Sequence, residues 1–185
     1  QPHVLAVGYK GNPRGPHFEE TVYLSPPPLP ATVLAAIVEQ ARCGMRALGI
    51  TDGPGHCEMR LDPEGKPFIL EIGARIGGSG ISHFIVESST GIDFAGLQYD
   101  FILGHPSTPL PSSPCPLRAA SNWIIPLGGS GTLVDIEGLD EVARHPDFRR
   151  LLRFAAPGAR MRPYPHFDGF LGFIMGTHRD AAAGQ

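Results

Sequence analysis

The chain has 185 residues, enough for one domain or two small ones, and its 42% hydrophobic content is typical of a globular protein with a core. A net charge of −3 gives no basic footprint for nucleic acid, and no run of about 18 apolar residues occurs. We therefore expect neither a nucleic-acid partner nor a membrane span. Three cysteines without metal-ligand spacing indicate a reducing compartment, the cytoplasm. Because the chain starts at Gln1 and enters a strand-like segment at once, we expect a piece of a longer protein.

The first quarter of the chain predicts two extended segments and one long helix. The extended segments are residues 3–9 and 18–24, and the prolines of residues 25–30 form a rigid approach to the helix. Apolar residues recur at three- and four-residue steps over residues 31–48, which predicts an amphipathic helix that Gly49 ends.

A hairpin should follow the helix. Residues 62–67 combine Asp, Pro and Gly in a way that favours a reversal. A symmetric reversal there places Leu61 opposite Phe68 and Glu58 opposite Glu71. Side chains alternate between the two faces of a strand. Phe68, Leu70 and Ile72 should therefore form the apolar face of the second strand.

The facing carboxylates of Glu58 and Glu71 predict a cation between them, because like charges directly opposite each other destabilise a strand pair. Mg²⁺ is the natural candidate, since it prefers oxygen ligands and is usually held by one or two carboxylates plus substrate phosphates. Arg75 could grip phosphate or carboxylate oxygens in a bidentate manner. The alternative is an exposed hairpin with two solvated glutamates and a surface arginine. A one-residue slip of register would remove the facing geometry.

Three other residues near the hairpin are candidates for binding a ligand. His56 lies on the same strand face as Glu58 and could orient a ligand, or it could be a hydrogen-bonded packing histidine. Lys10 follows the end of a predicted strand, where it could serve a site or be solvated. Ser79 belongs to the glycine-rich loop 77–80, whose backbone N–H groups could face an anion. No Ser/His/Asp arrangement stands out in the sequence.

The remaining elements suggest a domain boundary. Residues 81–89 and 94–103 predict helices, the second capped by Asp93 and ended by Gly104. Residues 105–117 are rich in Pro and Ser and read as a linker. The tail should be a small α+β subdomain with four strands and a short helical turn. These are residues 119–125, 131–136, 151–154 and 170–175, and residues 139–143.

The hairpin and its surroundings resemble the end of the ATP-grasp domain. That family has an acidic residue, a hairpin and a Glu-x-Asn-x-Arg run leading to glycines, to which residues 69–78 are similar. The flanks resemble its carboxylate–amine ligase branch, and the tail resembles the C-terminal domain of L-amino acid ligases. The matching flanks are His56-Cys57-Glu58, residues 16–30, residues 90–93, Gly131-Thr132-Leu133 and residues 169–176.

The resemblance implies an α+β fold in three parts. Residues 1–104 would be the C-terminal half of an ATP-grasp domain, an antiparallel sheet with helices. Residues 105–117 would be the linker, and residues 118–185 the ligase C-terminal α+β subdomain. The half that bears the phosphate-binding lysine and glycine-rich loop would precede Gln1, so it would be a further partner of this chain.

The resemblance also implies an activity. The family uses ATP to phosphorylate a carboxylate, and an amine then attacks the acyl phosphate to give an amide or peptide. Glu58 and Glu71 would hold Mg²⁺, with Mn²⁺ as the alternative, and Arg75 would steady the transferred phosphoryl group. Gly77 and Gly78 would let the backbone approach the bound nucleotide and intermediate, with Ser79, His56 and Lys10 near the substrates.

Several alternatives stay open at this stage. Gly73 stands where many members have Asn, a further metal ligand, which leaves the second metal in question. A catalytically silent module for assembly or small-molecule binding is one alternative function. A biotin-carboxylase or purine-pathway type of ATP-grasp ligase is another, and a homodimer is one assembly that the resemblance allows.

Overall fold

The structure is a computed structural model that describes residues 1–13, 15–105, 109–166 and 169–180. It is a mixed α+β fold with antiparallel sheets and helices, as expected. The strands are β1 (Val22–Ser25), β2 (His56–Leu61), β3 (Pro67–Gly73), β4 (Ala119–Pro126), β5 (Gly131–Thr132), β6 (Phe148–Arg153), β7 (Arg160–Met161) and β8 (Phe170–His178). The helices are α1 (Ala31–Ala47), α2 (Val86–Thr90), α3 (Phe94–Leu103) and α4 (Leu139–Ala143).

The central sheet has the strand order β1-β4-β8-β6, and all its pairs are antiparallel. Its core combines residues from β1, from β4 and from a π-helical turn. The buried members are Tyr23, Ile85, Ala120 and Ile124. The sheet thus joins the first and last parts of the chain through the hydrogen bonds between β1 and β4.

The predicted linker is tied to the rest of the fold where it is described. The Leu117 N–H donates to the Ser89 carbonyl over 2.7 Å, and Arg42 donates to the carbonyl of Ser112. Residues 106–108 of the linker, like residues 167–168 and 181–185 of the last segment, lie outside the described residues. The division at residues 104, 117 and 118 stays a prediction.

The predicted strand over residues 3–9 is wrong. Only Tyr9 pairs, through an isolated bridge to Leu24 with N···O distances of 2.8 and 2.9 Å. An antiparallel ladder continued from that bridge would bring residues 5–7 opposite Pro26, Pro27 and Pro28. Proline has no N–H to donate, so the ladder cannot extend.

Helix α1 ends within one residue of its prediction, and it packs on β3. Gly44 makes this packing close, since a Cβ there would clash with the Cδ1 atoms of Ile69 and Ile72.

Helix α3 is as predicted, with Asp93 Oδ1 accepting from the Gly96 N–H over 2.7 Å and Gly104 at the C-cap. In the described ranges, no helix is both long and apolar enough to cross a bilayer.

Other boundaries differ from the prediction. Residues 81–89 are a turn of π-helix, Ile81–Ile85, that continues into α2. Strand β5 is shorter than predicted because its partner is the two-residue strand β7, which the sequence did not indicate. Strands β6 and β8 are longer than predicted, because β6 pairs with β8 from Phe148 onward and β8 pairs with β4 as far as His178.

Candidate functional site

The hairpin β2–β3 brings Glu58 and Glu71 directly opposite each other. Its turn is closed by hydrogen bonds between the Asp62 and Lys66 backbones and from the Gly65 N–H to Asp62. Gly65 has a φ of +83°, which favours glycine. The sequence prediction that the two carboxylates face each other is therefore confirmed at the level of strand register.

The register nearer the turn differs from the prediction. Leu61 pairs with Pro67, not with Phe68, because the turn is one residue shorter than assumed. A bulge between the pair of Met59 and the pair of Glu58 then restores the facing glutamates. Leu70 is the extra residue, since Met59 pairs with Ile69 and Glu58 with Glu71.

The bulge also changes the apolar face of β3. Ile69 and Ile72 both face α1, whereas Phe68 and Leu70 are 47% and 62% exposed. The predicted set of Phe68, Leu70 and Ile72 is therefore wrong, because strict alternation fails across a bulge. Burial, with a smaller effect of the neighbouring Glu58 charge, raises the pKa of the Cys57 thiol to about 11.

Both carboxylate oxygens of Glu58 have charged or chargeable partners. Lys10 Nζ lies 2.9 Å from Oε2, and His56 Nε2 lies 3.3 Å from Oε1. Desolvation acts to raise the pKa of Glu58, but the hydrogen bond and charge of Lys10, with His56 second, outweigh it and the pKa falls below its ordinary value. Glu58 is therefore ionised over the physiological range.

Lys10 joins Glu58 to a second carboxylate. Its Nζ is 2.7 Å from Glu20 Oε1, and the Tyr23 hydroxyl donates to Glu20 Oε2 over 2.6 Å. Burial acts to lower the pKa of Lys10, but the two carboxylates raise it on balance. The pKa of Tyr23 is also raised, by burial first and by Glu20 second. Lys10 and Glu20 are thus parts of one network, not solvated side chains.

Glu71 and Arg75 form a more open pair. Arg75 Nη2 lies 3.0 Å from Glu71 Oε1, and Nη1 donates to the Ile76 carbonyl over 3.1 Å. Their side chains are 53% and 57% exposed for Arg75 and Glu71. Gly73 leaves room for this arrangement, since a Cβ there would lie 3.1 Å from Arg75 Cγ. Gly73, which stands where many ATP-grasp members have Asn, is therefore the residue over which the Arg75 side chain folds.

The glycine-rich loop lies against His56. A Cβ at Gly77 would come within 2.8 Å of His56 Nδ1, and the Gly77 N–H donates to Ser82 Oγ over 2.6 Å. A Cβ at Gly78 would meet no atom within 4 Å among the described residues. Ser79 has a φ of +50°, an uncommon value for a residue with a side chain. The Gly77 N–H is thus already used within the fold, and Gly78 is the open side of the loop.

The candidate ligands for a divalent cation are two carboxylates. Glu58 and Glu71 supply two carboxylates from facing strand positions. Over the described parts of the chain, no group of three or more His, Cys, Asp and Glu side chains could hold a metal. Mg²⁺ is commonly bound by one or two carboxylates plus phosphates and waters. Two carboxylates do not make an all-protein cage, so a phosphorylated ligand and waters would have to complete the coordination of an ion held here.

A Ser-His-Asp chain was missed in the sequence. Ser121 Oγ lies 2.7 Å from His178 Nε2, and His178 Nδ1 lies 3.0 Å from Asp147 Oδ2. The three residues are far apart in the sequence, so no spacing signal could reveal them. Ser121 is 0% exposed in the middle of β4, which leaves no access for a substrate. The contacts tie neighbouring strands together, and they lower the pKa of Asp147 chiefly through the hydrogen bond with His178.

Two protein families match this chain. Residues 1–83 match the family described as ATP-grasp domain, and residues 123–184 match the family described as L-amino acid ligase C-terminal domain 2. The carboxylate hairpin lies in the ATP-grasp match, and the chain as a whole resembles an ATP-grasp ligase of the L-amino acid ligase type. The second matched region is similar to the C-terminal domain of L-amino acid ligases.

Known proteins agree with this assignment. An L-amino acid ligase structure from Bacillus licheniformis is 45% identical with a TM-score of 0.83, over 96% of this chain and 43% of that one. The L-arginine-specific L-amino acid ligase of Bacillus subtilis is 45% identical over 53 residues, 29% of this chain and 13% of that protein. The biotin carboxylase domain of a single-chain bacterial carboxylase shares the fold, with 21% identity and a TM-score of 0.63 over 89% of this chain and 38% of that one. The chain thus spans less than half the length of the relatives it matches.

Proposed function

We propose that this chain is part of an ATP-dependent carboxylate–amine ligase that forms an amide or peptide bond through an acyl phosphate. The observation that carries the proposal is the facing of Glu58 and Glu71 on a hairpin whose bulge keeps them in register. The likeness to an L-amino acid ligase at 45% identity supports amino acids as substrates. The biotin-carboxylase likeness is at 21% identity and supports the fold alone.

In this proposal Glu58 and Glu71 hold Mg²⁺, with Mn²⁺ as the alternative ion, together with the phosphates of ATP. The ion would neutralise phosphate oxygens as they gain charge. Glu58 is suited to this task because it is ionised and its carboxylate is oriented by Lys10 and His56. Glu71 is suited because it is exposed and tethered by one arginine.

Arg75 is the proposed catalytic residue. Its guanidinium is half exposed, and one of its two partners is a backbone carbonyl, so it can turn toward an incoming anion at small cost. A guanidinium presents donors in a fixed fork that matches the oxygens of a phosphoryl group. Arg75 would thereby stabilise the phosphoryl group during transfer to the substrate carboxylate.

The loop and the buried network divide the remaining roles. Gly78, and Gly77 beside it, would let the nucleotide or the intermediate approach the backbone, since Gly78 faces open space. Ser79 and His56 are proposed at the substrate side of the loop. Lys10 was predicted near the substrates as well, but it forms ion pairs with the carboxylates of Glu20 and Glu58, so we assign it to orienting Glu58.

The rest of the proposal concerns the parts beyond this chain. The relatives' greater length supports a preceding half that completes the nucleotide site. We propose a cytoplasmic enzyme, and a homodimer stays a prediction. By itself this chain should bind Mg²⁺–ATP weakly and turn over no substrate. ATP hydrolysis by this chain that Glu71→Gln abolishes would contradict that expectation.

A catalytically silent module is the second candidate. It is favoured by one observation: both oxygens of Glu58 and one oxygen of Glu71 are already in ion pairs. An ion would have to displace or share these partners. If the pairs only stabilise the hairpin, the chain would serve assembly or small-molecule binding.

The test is magnesium-dependent ADP release by the complete gene product, screened over pairs of amino acids. We expect release with at least one pair, and its loss in Glu71→Gln. Glu64→Gln, which changes an exposed glutamate in the turn of the same hairpin, is the matched control and should leave release intact. Equal release by wild type and Glu71→Gln would favour the silent module or another site.

A further inference from the structure

Asn122 connects the central sheet to the glycine-rich loop. It is fully buried in β4, where it pairs with Tyr23 on one side and Met175 on the other. Its Nδ2 donates to the carbonyl of Ser79. A carbonyl only accepts hydrogen bonds, so the NH₂ group of the amide must be the end that faces Ser79.

The other end of the same amide is unsatisfied. Asn122 Oδ1 is buried and receives no hydrogen bond from any of the described residues. A buried polar atom without a partner destabilises a fold, and leucine would fill nearly the same volume without that penalty. Asn122 therefore destabilises the fold relative to leucine, and its functional contribution is the hydrogen bond to the Ser79 carbonyl.

The Ser79 backbone needs such a partner. Its φ of +50° is a left-handed value that residues with a Cβ seldom adopt unless the surroundings hold them there. Met175 contacts the next residue, since its Cε would lie 2.6 Å from a Cβ at Gly80, and Gly80 has a φ of +76° that favours glycine. The inner strands of the sheet thus contact the loop at two successive residues.

The loop in turn contacts the carboxylate site. Gly77 packs on the imidazole of His56, and His56 Nε2 lies 3.3 Å from Glu58 Oε1. On the other side, Tyr23, which pairs with Asn122, donates to Glu20, and Glu20 lies 2.7 Å from Lys10. A shift of the Ser79 carbonyl would therefore displace the groups that orient Glu58, which are His56 and Lys10.

We propose that Asn122 is a positioning residue that holds the Ser79 carbonyl and thereby fixes the loop 77–80 beside the carboxylate pair. The sheet strand that leads into the L-amino acid ligase C-terminal domain then sets the shape of a loop in the ATP-grasp part. The expected effect of the loop on nucleotide binding rests on the proposed function. The positioning of the loop by Asn122 does not.

The test compares Asn122→Leu with Thr177→Val. Thr177 is buried in the adjacent strand β8, and its Oγ1 also has no hydrogen-bond partner among the described residues. It pairs with Ala120, and its N–H donates to the Asp147 carbonyl. Amide hydrogen exchange is measured at Gly77 and Ile81, whose N–H groups donate to Ser82 Oγ and to the Gly78 carbonyl. The rise in Tm on adding millimolar Mg²⁺–ADP is measured on the complete gene product with the same substitutions.

We expect exchange at both amides to be about tenfold faster in Asn122→Leu, as for the loss of one hydrogen bond, with no change in Thr177→Val. The Tm rise with Mg²⁺–ADP should be smaller in Asn122→Leu only. If Asn122→Leu does not fold, Asn122→Ser replaces it, since serine stays polar and is too short to reach Ser79.

Unchanged exchange in the Asn122 variant would overturn the proposal, and so would faster exchange with a full response to Mg²⁺–ADP. A wild-type complete gene product that does not respond to Mg²⁺–ADP would instead contradict the proposed function. In that case the exchange rates alone would still decide whether Asn122 holds the loop.

Discussion

Glu58 lies opposite Glu71 because Leu70 is an extra residue on one side of the hairpin. Without the bulge, the short turn would pair Glu58 with Leu70 and direct Glu71 to the face of α1. The hairpin thus tolerates an irregular, exposed leucine and places two like charges together. Because like charges directly opposite each other destabilise a strand pair, this arrangement is expected where positive charge lies beside the two carboxylates.

The turn that sets this register depends on Gly65. Its φ is +83°, and a Cβ there would lie 3.3 Å from Val33 Cγ2. We expect Gly65→Ala to lower the free energy of unfolding by about 1–2 kcal/mol because of backbone strain. Gly128→Ala, at a glycine with an ordinary φ and no neighbour within 4 Å in the described structure, is the control. Urea unfolding measures both, and equal effects would contradict the assigned strain.

Removing the cation between Glu20 and Glu58 should destabilise the fold. Lys10→Met leaves two partly buried carboxylates facing each other, and we expect a loss of about 1–2 kcal/mol, between the values for surface and buried pairs. Arg46→Met removes the exposed pair with Glu39 and should cost less than about 1 kcal/mol. If thermal unfolding shows the same loss for both variants, Lys10 does not have the orienting role assigned here.

The lowered pKa of Glu58 predicts a sensitivity to acid. A carboxyl whose pKa is lower in the folded than in the unfolded chain stabilises the fold above its ordinary value, here 4.5. That stabilisation is lost as the pH falls through the lowered pKa of the folded chain. Wild type should therefore lose unfolding free energy below pH 4.5 more steeply than Glu58→Gln. Parallel curves in urea titrations across this pH range would show that the ion pairs of Glu58 are not formed in solution.

The Ser121–His178–Asp147 chain should be structural. Ser121 is buried and should not react with a fluorophosphonate probe, although its Oγ lies 2.7 Å from His178 Nε2. Ser121→Ala should cost about 1–2 kcal/mol, because it leaves a ring nitrogen without its partner. Mass spectrometry reads the labelling, and a probe adduct on Ser121 would refute the structural assignment.

The sequence was informative where local chemistry decides the structure. Helix α3 follows its caps, Asp93 and Gly104, and α1 follows its apolar stripe. The facing of Glu58 and Glu71 was predicted, but two deviations from the assumed hairpin had cancelled. Nothing in the apolar run around Leu70 signals a bulge, so the register near the turn could not be derived.

The network around the site could not be predicted because it depends on tertiary packing. Lys10 reaches Glu58 only because the bridge of Tyr9 to Leu24 places the start of the chain beside the hairpin. Asn122 reaches Ser79 across the sheet from 43 residues away. Such contacts leave no periodic or motif signal in a single sequence.

The most direct measurement is the rise in Tm of the complete gene product with millimolar Mg²⁺–ADP, compared for wild type, Glu58→Gln, Glu71→Gln and Glu64→Gln. The two facing glutamates should each be required, because each supplies one of the two carboxylates on which an ion completed by phosphate depends. We predict a rise in wild type and in Glu64→Gln, and none in the other two variants. An equal rise in all four proteins would contradict a divalent-cation site between Glu58 and Glu71.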